Sequence, residues 1–296
     1  MGEDWSVSRL FCFGLGYSAE TLARRLATKG WSIAGTARDL GNIDRLRGQR
    51  YEVCRFAGEP GNAELAAALA GTTHLLLSIP PGTDGDPVLR HYRDPVASLS
   101  KLDWIGYLST VGVYGNHAGA VVDETTMPRP NNQRTKARVV AESDWLAFGG
   151  EIGRPTQIFR LAGIYGPGRS ALDKLKAGTA RRIIKPGQVF NRIHVEDIAS
   201  VLEASITRPR AGAIYNVADD EPAPPEEVID YGAELLGMGP PPEVSFGEAE
   251  LSPMARSFYG DSRRISNALI KSELGVRLAY PTYRDGLKAL VPLRSR

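Results

Sequence analysis

The chain reads as an α/β protein with a doubly wound parallel sheet, and three observations predict this. Apolar runs of strand length alternate with helix-period segments from the N-terminal end onward. Several of those runs are apolar almost throughout, as expected of strands covered on both faces. A glycine-bearing turn joins the first strand directly to the first helix.

The elements follow in order. LFCFG (10–14) reads as the first strand. AETLARRLAT (19–28) reads as a helix whose apolar stripe includes Leu22 and Leu26. WSIAG (31–35) is the second strand, and THLLLSIP (73–80) and WIGYLST (104–110) are nearly continuous apolar runs. TQIFRLAG (156–163) and GAIYNVA (212–218) complete the strands, with helical patterns at 134–148, 195–206 and 225–236. Proline and glycine thicken at 166–187 and at 239–247, where GPPPE interrupts any regular element. Those segments read as pieces of a smaller domain interleaved with the last strands. The expected division is a larger sheet domain over 1–163, completed by segments near 191–218. The smaller C-terminal domain takes 164–190 and 219–296.

Composition mainly excludes. The 36 basic and 34 acidic side chains nearly cancel and no long basic run occurs, so a nucleic-acid partner is not expected. No apolar stretch reaches the roughly 18 residues of a membrane span. The apolar run near the N-terminus is too short for a signal peptide, so a cytoplasmic location is expected. Cys12 and Cys54 sit in apolar surroundings at no metal or redox spacing, and read as thiols of a reducing compartment. His74, His91 and His117 have no Cys or acid partners at ligand spacing, so no metal is expected.

The turn itself is G-x-G-x-x-A: Gly14, Gly16 and Ala19, with Tyr17 and Ser18 between the last two. Gly14 permits a tight turn, and Gly16 lets the backbone approach a pyrophosphate. Ala19 is small enough for the helix to pack on the strand, while the helix N-terminus supplies N–H groups and a positive dipole end. The second strand ends Gly35-Thr36-Ala37-Arg38, where an NAD-selective fold would place an acid for the ribose 2′-hydroxyl. A neutral tip followed by arginine suits a 2′-phosphate instead. NADP is therefore expected, NAD remaining possible. Asp39 competes for the role, and Arg38 could equally be a solvated loop residue. Thr36 and Arg38, with Ser78, Ile79 and Pro80 at the end of the THLLLSIP run, join the turn as cofactor-site candidates.

Further segments make the chain resemble the extended short-chain dehydrogenase/reductases of the epimerase/dehydratase branch. They are LSTVGVYG (108–115), FRLAGIYGPGR (159–169), NRIHVEDIA (191–199), AIYNVADDEP (213–222) and the closing ELGVRLAYPTYRDGLKAL. The resemblance implies a Rossmann domain with a small substrate domain over the cofactor, and hydride transfer between nicotinamide and a carbonyl. In that chemistry a Ser or Thr orients the carbonyl, a tyrosine donates the proton and a lysine four residues later lowers its pKa. Thr110 takes the Ser/Thr role by this match. A homodimer formed through two helices of the Rossmann domain is also implied.

The pattern breaks at the Tyr-x-x-x-Lys helix. Anchored on Glu142, the tyrosine position holds Arg134 and the lysine position Arg138. A slip of two residues recovers Lys136 but puts Asn132 in place of tyrosine. A guanidinium could hold the nicotinamide ribose but cannot donate a proton near neutrality. Tyr114 could face the pocket and replace the acid, or simply pack in the interior. Relatives acting on sugar nucleotides carry an arginine four residues before the histidine of the HVxD segment. Phe190 stands there in this chain, with Arg192 two residues later. Arg192 could serve another anion, and Arg256 could line the substrate pocket. His194 and Asp197 are expected to orient loops and cap a helix. The resulting expectation is an NADP-dependent oxidoreductase or epimerase with a relocated proton donor, acting on an unknown carbonyl or sugar-like small molecule. The alternative is a non-catalytic NADP-binding redox sensor or interaction module.

Overall fold

The computed structural model describes residues 8–60 and 63–292. Seven strands form the central sheet: β1 (Arg9–Phe13), β2 (Ser32–Ala37), β3 (Glu52–Arg55), β4 (His74–Leu77), β5 (Trp104–Thr110), β6 (Thr156–Leu161) and β7 (Ile214–Val217). Their order is β7-β6-β5-β4-β1-β2-β3. β1 pairs in parallel with both β2 and β4, and the β2–β3 and β4–β5 pairings are parallel too. The strand order thus reverses between β1 and β4, the switch point at which open α/β sheets place their ligands. The fold is α/β and Rossmann-like, with a parallel central sheet.

Helices α1 (Tyr17–Ala27), α2 (Leu40–Gly48), α3 (Ala63–Ala68), α4 (Pro87–Ala97) and α5 (Gln133–Glu151) connect the strands in sequence. The sequence reading contained no strand at 52–55 and no helices at 40–48, 63–68 or 87–97. β3 is the sheet edge and buries only Val53 and Cys54, so its alternation is too short to register as a period. α4 carries an internal proline, Pro95, and a non-helical Tyr92, which break its periodicity.

By compactness the chain divides into two units. The first comprises the residues up to 110, 131–160 and 199–215; the second comprises 111–130, 161–198 and those from 216 on. Segments 111–130 and 191–198, which the sequence reading placed with the Rossmann domain, are grouped with the second unit. The core of the first unit is aromatic at its centre. Phe13, Phe56 and Tyr92 meet pairwise at 5.5–5.7 Å between ring centroids. β2 can lie against β1 because Gly35, opposite Cys12, has no Cβ; one placed there would come within 2.5 Å of the Cys12 carbonyl oxygen.

The second unit uses short parallel strand pairs in place of a large sheet. Arg192–His194 pairs with Gly163–Tyr165, and Glu243–Ser245 with Arg182–Ile184. Helices Ala171–Lys176, Pro225–Leu236 and Tyr283–Ala289 carry its own apolar cluster of Leu172, Val228, Tyr283 and Leu287, joined by Tyr165.

Candidate cofactor and active site

The turn after β1 is held by three local constraints. Gly14 has φ +91°, a conformation that L side chains rarely adopt, and a Cβ there would lie 2.7 Å from Ile79 Cγ2. Its N–H donates to the Thr36 hydroxyl at 2.9 Å, and Leu15 N–H donates to the Thr36 carbonyl at 2.7 Å. Thr36 thus latches the turn to β2 by both side chain and backbone. Gly16 is the N-cap of α1, and no side chain caps that helix end. A Cβ at Gly16 would meet no atom within 4 Å. Ser18 and Ala19 are buried behind it, so the helix packs closely on the sheet. Ser78 N–H extends the β4–β1 ladder to Phe13 at 2.9 Å, Ile79 closes over Gly14, and Pro80 is exposed. Open space before an uncapped helix N-terminus, with glycine where a side chain would intrude, fits a phosphate group.

The end of β2 separates two candidates that the sequence left in competition. The Asp39 carboxylate is the N-cap of α2 and accepts from Asn42 N–H at 2.8 Å. Arg38 is exposed at the strand end. Arg45, one turn into α2, holds Glu20 with two hydrogen bonds of 2.6 and 2.7 Å, which ties α2 to α1.

β5 and α5 meet through residues spaced four apart on the helix. Arg138 Nη1 donates to the Leu108 carbonyl at 2.6 Å and to the Tyr107 hydroxyl at 3.2 Å, its guanidinium lying 5.6 Å from the Tyr107 ring centre. Burial pushes the Tyr107 hydroxyl up, beyond the ordinary phenol range. One turn earlier Arg134 is exposed, as is Lys136, and Thr110 is half-buried at the end of the strand. Asn132 is the residue at the tyrosine position in the shifted register. Asn132 lies outside the helix as its N-cap, and its side chain accepts from Thr135 N–H at 3.0 Å in a capping box.

A buried triad beside these residues was not foreseen as a site. Arg160 donates to Glu142 through Nη2 at 2.7 Å and through Nε at 3.2 Å to each carboxylate oxygen. The Ser109 hydroxyl donates to the same carboxylate. The Glu142 and Arg160 side chains are only 5% and 4% exposed, so each depends on the other for its charge. A signal existed: Arg160 is the lone charge in the strand TQIFRL, and a buried arginine requires a partner.

In the second unit, Tyr114 is fully buried and its hydroxyl donates to Asn216 Oδ1 at 2.8 Å. Asn216 N–H in turn donates to Glu124 at 2.8 Å. The Tyr114 phenol thus links two chain segments in the interior. Arg192 Nη1 donates to the carbonyls of Phe190 and Ala223 at 2.9 and 3.1 Å, and burial lowers its pKa despite the nearby Asp219. Asp219 is 2% exposed, and burial pushes its carboxyl up to about 8, Arg192 partly opposing the shift. Arg256 is exposed, donates to the Ala249 carbonyl at 2.8 Å and lies over the Phe246 ring at 5.1 Å. Asp197 accepts from the N–H groups of Ala279 and Tyr280 at 2.7 and 3.0 Å, and His194 packs 4.0 Å from the Tyr280 ring. Among the described residues no group of three His, Cys, Asp or Glu side chains could hold a metal ion, and no helix is long and apolar enough to cross a membrane.

No protein-family model matches the chain. Over 288 residues it is 28% identical to Protein YeeZ of Escherichia coli K12, covering 93% of this chain and 97% of that one. Similar solved structures include NAD-dependent epimerases and dehydratases. The UDP-glucuronic acid 4-epimerase from Bacillus cereus, in complex with NAD, superposes with TM-score 0.76 at 16% identity over 95% of this chain and 96% of its own. That likeness, and others of its kind, place the chain on the epimerase/dehydratase fold. A functionally unknown conserved protein from Silicibacter pomeroyi is far nearer in sequence, with 52% identity, TM-score 0.88 and coverage of 96% of this chain and 98% of that one. The chain belongs to the same family as this Silicibacter protein.

Proposed function

We propose that the chain is an NAD(P)-dependent oxidoreductase or epimerase of the short-chain dehydrogenase/reductase type, atypical in lacking the Tyr-x-x-x-Lys pair. Its substrate is a carbonyl or sugar-like small molecule, and its compartment is the cytoplasm, where Cys12 and Cys54 stay as buried thiols. The observation that carries the reading is the turn at Gly14–Gly16. A positive φ, a threonine latch and open space at Gly16 coincide there at the switch point of the sheet. NADP is preferred over NAD, because the one acid near the end of β2 that could hold a ribose hydroxyl, Asp39, is committed to capping α2 while Arg38 is exposed.

Bound at this turn, the nicotinamide cofactor would exchange a hydride with a carbonyl carbon. The Thr110 hydroxyl would orient that carbonyl from the end of β5. Arg138, fixed by the Leu108 carbonyl, would stand toward the nicotinamide ribose in place of lysine. Neither Arg134 nor Arg138 can release a proton near neutrality. General-acid assistance worth about 10²–10⁴-fold is therefore not supplied by this helix. Slow NADPH oxidation with generic aldehydes, ketones and sugar nucleotides is expected. Solved neighbours with named activities are enzymes, and the non-catalytic sensor alternative gains no support from them.

Calorimetric titration of NADPH and NADH into wild type and Arg38→Ala tests the reading. A charge-assisted hydrogen bond of about 1.5–3 kcal/mol to the 2′-phosphate gives NADPH roughly a ten- to hundredfold advantage, lost on substitution. Equal affinities would remove the NADP assignment, and no binding of either dinucleotide would remove the whole reading.

A further inference from the structure

In the second unit, the strand pair Arg182–Ile184 and Glu243–Ser245 brings two side chains together just past its end. Phe246 N–H donates to the Ile184 carbonyl at 3.0 Å and continues the ladder by one residue, which sets Phe246 beside Lys185. Lys185 Nζ lies 5.1 Å from the Phe246 ring centre, and it donates to Gln188 Oε1 at 3.2 Å and to the Tyr259 carbonyl. The Tyr259 ring stacks on Phe246 at 5.1 Å, and Phe190 meets Tyr259 edge-on at 5.0 Å. The Arg256 guanidinium also lies 5.1 Å from the Phe246 ring centre, so the two cationic heads are no farther apart than twice that distance.

Acids of the neighbouring segments are engaged elsewhere. Asp230 and Glu243 both hold Arg182, at 2.7 and 2.9 Å, Glu248 accepts from the Ser245 hydroxyl at 2.8 Å, and Asp261 lies 3.4 Å from Arg263. Among the described residues, neither Lys185 nor Arg256 has a carboxylate within ion-pair distance. Arg192 and Glu226 both stand within electrostatic range of the Tyr259 hydroxyl, and burial pushes the Glu226 carboxyl up, toward its neutral form. The ring quadrupole of Phe246 attracts the two cations but carries no charge to neutralise them. Arg256 commits one hydrogen bond, to the Ala249 carbonyl, and Lys185 commits two, so N–H donors of both are left for an acceptor from outside the chain. The helix that carries Arg256, Pro253–Phe258, buries none of its residues, so this side chain fills no place in the core.

We propose that Lys185 and Arg256, held against the Phe246–Tyr259 stack, bind a doubly charged oxyanion of a small molecule, a phosphate monoester or a dicarboxylate. The two cations are complementary in shape: Arg256 offers a planar fork that matches two oxygens, and Lys185 a compact point charge. A dianion neutralises both, whereas a singly charged group leaves one of them uncompensated. The site lies wholly within the second unit and requires no dinucleotide. It therefore goes beyond the cofactor reading and does not depend on it.

The test is calorimetric titration of the full chain, without dinucleotide and at low salt, with inorganic phosphate and separately with malonate. Wild type is compared with Lys185→Ala, Arg256→Ala, Arg256→Lys and Arg181→Ala, thermal melts confirming that each variant is folded. Arg181 is exposed and donates only to backbone carbonyls, so its substitution controls for the loss of one net charge. At least one probe is expected to bind wild type. Lys185→Ala and Arg256→Ala should each weaken it about ten- to a hundredfold. Arg256→Lys should fall between, since it keeps the charge without the fork, and Arg181→Ala should bind as wild type does. Binding of phosphate alone identifies a phosphate monoester, and of malonate alone a dicarboxylate. If neither probe binds, or if Arg256→Ala binds as tightly as wild type, the proposal is overturned. A loss in Arg181→Ala equal to that in Arg256→Ala overturns it too, because net charge and not a built site would then attract the anion. Should Lys185→Ala fail to fold for want of its tie to the Tyr259 carbonyl, the Arg256 variants decide the matter alone.

Discussion

Substituting either member of the Glu142–Arg160 pair should destabilise the first unit severely, and substituting both should restore much of the loss. The pair joins α5 to β6, and the Ser109 hydroxyl on β5 completes it. With side chains only 5% and 4% exposed, neither charge has water to fall back on. Glu142→Leu leaves a buried guanidinium facing an apolar surface, and Arg160→Met leaves a buried carboxylate with one hydroxyl donor. Breaking such a pair from one side costs about 3–5 kcal/mol. Removing both charges eliminates the unpaired ion, and apolar replacement of a whole buried pair is often near neutral. The double variant Glu142→Leu/Arg160→Met should therefore lie within about 2 kcal/mol of wild type, far from the sum of the single effects. Urea unfolding followed by tryptophan fluorescence reports on it, because Trp104 and Trp145 are fully buried in the same unit. Additive losses, or single losses below about 1 kcal/mol, would show that the charges are not desolvated as a pair and that the triad does not clamp these elements.

Three further outcomes are expected. Gly16→Val should abolish dinucleotide binding with little change in melting temperature, because its Cβ enters open space; Gly14→Ala should lower the melting temperature, having both a left-handed φ and a contact with Ile79. Asp219→Asn should flatten the pH dependence of stability. The folded carboxyl titrates near 8 against an unfolded value of about 3.9, so the native state binds the extra proton and stability falls as pH rises from about 4 toward 8, by at most about 1.4 kcal/mol per pH unit. A difference between wild type and Asp219→Asn that stays constant between pH 5 and pH 8 in thermal melts would contradict this. Tyr114→Phe should cost about 1 kcal/mol of stability, as loss of one buried hydrogen bond to Asn216, and should leave NADPH affinity unchanged.

The parts of the molecule legible in the sequence are those set by short-range rules. β1, the G-x-G turn and α1 are neighbours in the chain, and the helix at 225–236 carries a clear period, so their positions follow from pattern alone. β3 and α4 were invisible for the opposite reason: one is a four-residue edge strand, the other is interrupted by Pro95. The site shows the same division. The Thr36 hydroxyl serves the Gly14 N–H, a relation that only the β1–β2 register reveals. Arg160 and Ser109 meet Glu142 from 18 and 33 residues away in sequence, and no local pattern connects them. Tyr114, close in sequence to Thr110, is ambiguous until its burial is known.

The two ends of the first unit's site also differ in what constrains them. The phosphate turn is conformational: its requirements are a positive φ, a latch and absent side chains, and any replacement at Gly14 or Gly35 meets backbone or core atoms. The β5–α5 end divides within a single helix. From Glu142 to Phe148 the inward residues are buried, so their identity is dictated by packing and by the Arg160 charge. Arg134 and Lys136, two turns earlier, are exposed and fill no part of the core. A tyrosine or an arginine at 134 would serve the helix almost equally, since their intrinsic helix propensities differ by only a few tenths of a kcal/mol. Arg138 lies between these regimes, because its hydrogen bond to the Leu108 carbonyl needs only a cationic donor of sufficient reach. The fold therefore sets where the helix lies and leaves open which group stands at its first turn. The residue at that turn can therefore change at almost no cost in intrinsic helix propensity.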